Sequence, residues 1–422
     1  MNSLSTALPP ALSHGARAVE RCDVLGRAPY SDMENGLYRA WLTPAHKAAL
    51  ETLRGWMADA GMAVRMDPMG NLVGRYEGSQ ADLPPLMIAS HIDSVRDAGF
   101  YDGPLGVMLG VECVAALHQA GRRLPFPIEV VAFGDEEGSR FPAAMLTSRA
   151  MAGTLDEAAL EMADARGVTL AEAMAEFGLD IARWREAKLA RTPLAYMEAH
   201  IEQGPVLEAQ GLALGTVTGI AAQLRYQITV LGKAGHAGTC AMGLRQDALT
   251  AAAEMVLAVE EIARADASDL VATVGRMAVL PGAANVIPGE TVFTLDVRSG
   301  DEARRDRAAG AILARIRDLA KARGLGVGIE KIHNLPASPC APDLMDLMDA
   351  GIAATGQEPF RLVSGAGHDA MVLEAICPTA MLFIRCRGGI SHNPAEHVEV
   401  PDVEAAFAAM IHFIENLGAK YG

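Results

Sequence analysis

Five short segments of this chain collect the side chains that hydrolytic chemistry needs. Ser90-His91-Ile92-Asp93 sets an imidazole and a carboxylate two residues apart at the end of an apolar run. On an extended chain such positions point the same way. Asp93 is therefore placed to accept a hydrogen bond from His91 and fix its tautomer, the usual support of a ligand histidine. Tyr101-Asp102-Gly103 follows, a carboxylate on a glycine-flanked loop that can approach closely. Asp135-Glu136-Glu137-Gly138 lines up three acids after a second apolar run. An acid run is ordinarily a solvated face, but the buried strand expected before this one argues against exposure. A cation would relieve the repulsion, engage one glutamate and leave its neighbour to take a proton from water. Glu198-Ala-His200-Ile-Glu202-Gln203-Gly204 and Ser391-His392-Asn393-Pro394 add two more turns of this kind. Three histidines and at least two carboxylates at segment ends are what a two-ion hydrolytic site requires. The mixed nitrogen and oxygen set suits zinc, manganese, cobalt or nickel rather than a thiolate site. His14, His46, His118, His333 and His412 lie in plain helix, turn or strand-end contexts and are given no chemistry.

The elements that must position these groups follow from hydrophobic periodicity. Pro44 to Gly61 reads as an amphipathic helix, 71–76 as a short strand, and 86–89 as a buried strand running into His91. A glycine-rich loop from Gly99 to Gly106 leads into a helix over 107–119, and 128–133 is a further apolar strand. Strands alternating with helices predict an α/β sheet with some parallel strands, whose ligand site lies beyond the strands' carboxyl ends. The stretch 155–190 looks helical, punctuated by Gly178. From about 212 to 334 the order is strand (226–231), helix (246–264), two strands (270–277 and 291–298), helix (301–323) and strand (326–332). That β-α-β-β-α-β order is the ferredoxin-like pattern. A last strand over 379–384 and a helix over 403–417 close the chain. The simplest organisation is a catalytic α/β domain (1–211 and 335–422) interrupted by a smaller α+β domain (212–334).

Composition bounds the partners. The 422 residues are 50% hydrophobic and 21% charged, with a net charge of −16. Nucleic acid and anionic membranes want the opposite charge balance, and an anionic substrate would need a dedicated local arginine. No apolar run reaches the length of a membrane span. The segment Met1 to Arg17 lacks the pattern of a secretory leader, broken as it is by Pro9 and Pro10. The six cysteines show no C-x-x-C spacing, which fits a reduced, cytoplasmic setting.

Together these segments resemble the hydantoinase/carbamoylase group of the aminoacylase-type metallopeptidase superfamily. They are Ser-His91-Ile-Asp-Ser, Phe-Tyr-Asp102-Gly-Pro-Leu-Gly, Asp-Glu136-Glu137-Gly-Ser-Arg-Phe, Ala-His200-Ile-Glu-Gln-Gly-Pro and Gly-His236-Ala-Gly. Asn285-Val-Ile-Pro-Gly, Leu-Asp-Val-Arg298, Ser-Gly-Ala-Gly-His368-Asp-Ala and Gly-Gly-Ile-Ser-His392-Asn-Pro continue the family order. The group includes allantoate amidohydrolases, N-carbamoyl-L-amino acid hydrolases and some β-ureidopropionases. The resemblance implies two divalent ions per subunit, bridged by Asp102, with His91 and His200 completing one site and Glu137 and His392 the other. It implies Glu136 as general acid/base and His236 as a catalytic oxyanion donor, with Asp93 supporting the ligands. It further implies substrate contacts from His236, Asn285 and Arg298, the last a bidentate partner for a carboxylate. Gln203, Gln223, Gly365, Gly367 and His368 are further substrate-contact candidates. It also implies a homodimer in which His236, Asn285 and Arg298 serve the partner's site. After His236 the chain reads Ala-Gly-Thr-Cys-Ala-Met, where the family often has two threonines and a proline, a difference that bears on substrate preference. The expected reaction is hydrolysis of a small anionic ureido acid, with allantoate first and an N-carbamoyl-L-amino acid or β-ureidopropionate second. An aminopeptidase or aminoacylase and a non-catalytic binding relative are the weaker readings, the last disfavoured by an intact Glu136.

Overall fold

The computed structural model describes residues 12–80 and 82–421. Part of the N-terminal segment read above, residues 1–11, lies outside these. In chain order the elements are α1 (His14–Leu25), α2 (Pro44–Asp59), β1 (Ala63–Met66), β2 (Leu72–Tyr76), β3 (Leu86–His91), α3 (Pro104–Gln119) and β4 (Ile128–Phe133). Then come α4 (Leu146–Ala152), α5 (Leu170–Phe177), β5 (Ala195–Ile201), α6 (Val206–Gln210), β6 (Leu214–Ile220), β7 (Ala222–Leu231), β8 (Gly235–His236) and α7 (Ala248–Ala265). Next are β9 (Val271–Thr273), β10 (Met277–Leu280), β11 (Val286–Ile287), β12 (Glu290–Ser299), α8 (Glu302–Ala322), β13 (Gly326–Leu335) and β14 (Ser338–Pro339). The chain ends with α9 (Pro342–Ala354), β15 (Arg361–Ser364), α10 (Ala370–Leu373), β16 (Thr379–Ile384) and α11 (Val400–Ala419).

Chain contacts divide the molecule into two units. The first runs to Thr218 and resumes over Cys340–Leu362 and from His368; the second comprises Gly219–Pro339 and Val363–Gly367. The division falls later than hydropathy alone suggested because β6 pairs with β16 in the larger sheet. That sheet runs β1-β2-β4-β3-β5-β16-β6-β14, with β15 beside β6. Its centre, β4-β3-β5-β16, is parallel. These four strands are buried along their whole length, which is why their sequences run apolar rather than alternating. α3 packs on them and is buried on nearly every side. Thr43 caps α2 by accepting a hydrogen bond from the His46 amide, with Pro44 in the first turn.

The second unit has an antiparallel sheet ordered β10-β12-β7-β13, with β9 also against β12. The last strand lies beside the first and the third between first and second, the ferredoxin-like arrangement. One face is covered by α7 and α8, whose Ala251, Met255, Ile312 and Ile316 form a core with Ile228, Phe293 and Leu295.

Two local expectations need correction. The 155–190 stretch is not continuous helix: α5 is flanked by short 3-10 turns at Glu157–Glu161 and Ile181–Ala187. Between them the Asp164 carboxylate accepts the Arg166 and Val168 amides, closing a turn that helix propensity does not register. The strand expected over 270–277 is two strands. Around Arg276 the Thr294 side chain and backbone replace the regular ladder, separating β9 from β10.

Candidate metal centre

The carboxyl ends of the parallel strands and the loops beside them bring the candidate ligands together. His91 is the last residue of β3, His200 is the next-to-last residue of β5, and Glu136 and Glu137 follow β4. His392 is on the loop after β16, and Asp102 precedes α3. Two groups of potential ligand atoms share Asp102: His91, Asp102 and His200, and Asp102, Glu137 and His392. The sharing is divided by atom. Asp102 Oδ1 lies 3.1 Å from His200 Nε2 and 3.7 Å from His91 Nε2. Asp102 Oδ2 lies 3.2 Å from His392 Nε2, which is 3.4 Å from Glu137 Oε2.

The hydrogen-bond pattern tests whether a cation fits. His91 Nδ1 is 3.1 Å from the Asp93 carbonyl and His200 Nδ1 is 2.8 Å from the Ile201 carbonyl. Each Nδ1 therefore carries the proton it donates, and each Nε2 faces Asp102, free to ligate once it gives up its own proton. The two Nε2 atoms are 3.5 Å apart, close to the separation of about 3.4 Å between two ligands placed about 2.1 Å from one tetrahedral ion. Burial lowers both histidines, yet Asp102 outweighs it and raises them, so the group draws positive charge that a divalent ion can supply in place of the Nε2 protons. Glu137 Oε1 is buried without a hydrogen-bond partner, a cost that ligation removes. The residues fit divalent ions.

The electrostatics point the same way. Burial pushes Asp102 up, yet His200, His392 and His91 outweigh it and hold the carboxyl well below the usual range. Burial, followed by the neighbouring acids, raises Glu136 well above an ordinary glutamate despite the opposing His91. Burial and Asp102 push Glu137 up to about 7. Asp102 raises His392 to about 9.

Among the other expected residues, Asp93 holds its place with a different emphasis. Its backbone carbonyl, not its carboxylate, makes the shorter contact with His91 Nδ1, the carboxylate standing 3.5 Å away. The carboxylate instead accepts the amides of Glu136 and Glu137, both at 3.2 Å, and so shapes the acid turn. Gln203 donates to Asp102 Oδ2 at 2.8 Å. His368 is buried and packs edge-on against His200, ring centres 4.5 Å apart.

The remaining candidates lie in the second unit. His236 is exposed, and its Nδ1 accepts the Gly238 amide at 3.0 Å, which leaves the proton on Nε2. Asn285 is beside it, its carbonyl accepting the Ala237 amide at 2.9 Å. Arg298 pairs with Asp296 at 2.8 Å and donates to the Gly365 carbonyl, while Gln223 also donates to Asp296. Around Gly365 a β-carbon would meet nothing within 4 Å, so that glycine lines open space; Gly367 belongs to the same segment.

Three supporting residues were assigned no role from the sequence. Glu198 accepts from Ser90 Oγ, Tyr196 Oη and the Ala370 amide at 3.0, 2.8 and 3.2 Å. Its signal was its position two residues before His200 on the same strand face. Ser391 Oγ lies 2.7 Å from Asp102 Oδ2, and Glu396 binds the Tyr101 and Asp102 amides. Their signal was proximity to His392 on one loop.

Comparison with known proteins places this geometry. The model of peptidase family M20/M25/M40 matches residues 87–416. Allantoate deiminase 1 of Glycine max is 40% identical, covering 95% of this chain and 89% of its own. N-carbamoyl-L-amino acid amidohydrolase of Geobacillus stearothermophilus is 41% identical, covering 96% and 98%. A solved structure of a hydantoinase/carbamoylase family amidase from Burkholderia ambifaria superposes with a TM-score of 0.89 at 36% identity, covering 97% and 98%.

Proposed function

The chain belongs to peptidase family M20/M25/M40, a family of metal-dependent hydrolases, and from that premise we propose a two-ion amidohydrolase that cleaves the C–N bond of a small ureido acid. The observation that carries the reading is the division of the Asp102 oxygens between two ligand groups. His91 and His200 would hold one ion and Glu137 and His392 the other, both of zinc, manganese, cobalt or nickel type. When bound, such ions supply Lewis acidity, which a urea carbonyl needs because two nitrogens donate into it.

The protein's own groups do the rest. Glu136, raised by burial, takes a proton from the attacking water and returns it to the departing nitrogen near neutral pH. His236 offers an exposed Nε2–H to the oxygen that gains charge. Arg298 would bind the substrate carboxylate, exchanging its Asp296 and Gly365 contacts for a bidentate pair. Asn285, Gln223, Gln203 and the Gly365–Gly367 backbone would complete the substrate contacts. Relatives named as allantoate deiminase and as N-carbamoyl-L-amino acid amidohydrolase stand at nearly the same identity, 40% and 41%, and both names fit this reading. Allantoate is placed first because Val95-Arg96-Asp97-Ala98-Gly99 and Val131-Ala-Phe-Gly134 resemble bacterial sequences assigned to it. The protein would act as a homodimer, with His236, Asn285 and Arg298 serving the partner's site. Its six free thiols suit a reducing cytoplasm.

The test is a panel assay of manganese- and zinc-loaded protein, reading ammonia release and kcat/KM on allantoate, N-carbamoyl-L-amino acids and β-ureidopropionate. Allantoate is expected to lead. A carbamoyl amino acid turned over at least as well moves the assignment to the second reading, and no turnover of any ureido acid refutes the class.

A further inference from the structure

The two halves of the metal centre are not built alike. His91 and His200 stand at the ends of buried sheet strands, each fixed through Nδ1 by a backbone carbonyl. His392 is on a loop, half of its side chain exposed, with a backbone φ of 52° that a β-carbon disfavours. Such a ligand needs something outside its own conformation to hold it. The contacts of Glu396 supply that. Its Oε1 accepts the Tyr101 amide at 2.8 Å and the Asp102 amide at 3.1 Å, and its Oε2 lies 3.1 Å from Ser391 Oγ, beside His392. Glu396 is buried. Its own amide donates to the Asn393 carbonyl at 3.0 Å, tightening the turn after His392. The carboxylate thus clamps the bridging aspartate's backbone to the loop that carries the ligand of the second ion. Gly99 gives the clamp its room: a β-carbon there would fall 2.3 Å from Glu396 Cβ and Cδ. The Gly99 backbone is not left-handed, so space alone requires the glycine.

We propose that Glu396 is a positioning residue for the second half of the metal centre, joining the Asp102 and His392 loops, so that its loss loosens the ion at Glu137 and His392 ahead of the ion at His91 and His200. This inference rests on the two-ion reading. Outer supports of ligands commonly contribute about 10- to 100-fold in metal affinity, and that is the size of effect expected here, confined to one ion.

The experiment titrates metal-free, full-length protein with cobalt(II), following the visible absorption band and the bound stoichiometry by elemental analysis. The wild type should take up two ions. Glu396→Ala should keep one tight ion and bind the second about 10- to 100-fold more weakly. Glu396→Gln keeps a carbonyl oxygen for the two amides and should bind both ions within about threefold of wild type, because the role is positional. Gly99→Ala, which displaces the clamp without touching its chemistry, should reproduce Glu396→Ala. Should Glu396→Ala fail to fold, Gly99→Ala and Glu396→Asp, one methylene short, carry the same expectation. Wild-type uptake of both ions by Glu396→Ala, equal weakening of both ions, or a glutamine variant as weak as alanine would each overturn the proposal. A wild-type protein that takes up only one ion overturns the two-ion reading instead.

Discussion

His392 is raised to about 9 by Asp102, and Glu137 is pushed up to about 7 by burial, so in the metal-free protein both carry protons that an incoming ion must displace. A raised histidine is protonated below its pKa, and a raised glutamate likewise, so acid favours the proton over the metal. Apparent affinity should therefore climb with pH by about tenfold per unit for each proton released, steepest below about 7 and shallower from there to about 9. Calorimetric titrations with zinc across that range would show it; a flat profile would place the ion elsewhere. At Glu136 the expectation concerns rate rather than binding. Glu136→Gln should keep metal stoichiometry and lose about 10²- to 10⁴-fold in kcat, measured by ammonia release beside elemental analysis. Undiminished turnover would remove Glu136 from proton transfer. At this scale the candidate ligands His91, Glu136, Glu137 and His200 were legible because an imidazole or acid stood where an apolar run stopped, while Asp102 and His392 were marked by their glycine- and proline-flanked loops. Asp93 was half legible: spacing put it beside His91, but only the folded turn shows its carboxylate holding the Glu136 and Glu137 amides. Glu396 stood near His392 in the sequence, but its role was illegible because two of its partners are backbone amides nearly three hundred residues away, at Tyr101 and Asp102 (a separation of 294 for the latter).

Between α1 and α3 a single acid does the joining. Glu112 is buried, and His14, Arg17 and Arg21 all reach it at 2.7 Å. Burial pushes its carboxyl up, but the hydrogen bonds from Arg17 and His14 and the charge of Arg21 outweigh that and hold it below the ordinary glutamate range. A depressed carboxyl contributes stability above its unfolded pKa that is lost as pH falls through the folded value, so this docking weakens in acid. Glu112→Ala should cost about 2–3 kcal/mol, under the about 3–5 of a fully buried pair. The discount reflects Arg17 and Arg21, whose side chains keep 26% and 15% exposure. A thermal melt lowered by several degrees would show it, and an unchanged melt would make the cluster incidental. Gly103 is critical for a different reason: its φ is 84° and a β-carbon would meet the His91 ring at 2.4 Å. Gly103→Ala should therefore reduce metal uptake at His91 and His200, read by stoichiometry. Strand–helix alternation made the larger elements readable, since burial on both faces forces apolar runs. Side-chain-to-backbone bonds at Asp164 and Thr294 broke two of the readings, because such bonds leave hydropathy unchanged.

Across the whole chain the net charge is −16, and several acids converge on one buried site. Ions that bind only the folded form should stabilise it by about 4 kcal/mol at a thousandfold excess over Kd. Stripping the protein with a chelator should accordingly lower Tm, and returning manganese or zinc should restore it; differential scanning would decide. The division into an α/β unit and a ferredoxin-like unit was legible from element order, whereas its crossings depended on β6 pairing with β16, which no local pattern reveals. At those crossings the Cys340 amide donates to the Thr218 carbonyl at 3.0 Å. The larger unit's ends on either side of 219–339 are thus already hydrogen-bonded to each other, so a short turn could join them. A protein in which a tight turn replaces 219–339 should still assemble the ligand cluster while forfeiting His236, Asn285 and Arg298, giving a cation receptor that has no catalysis to offer.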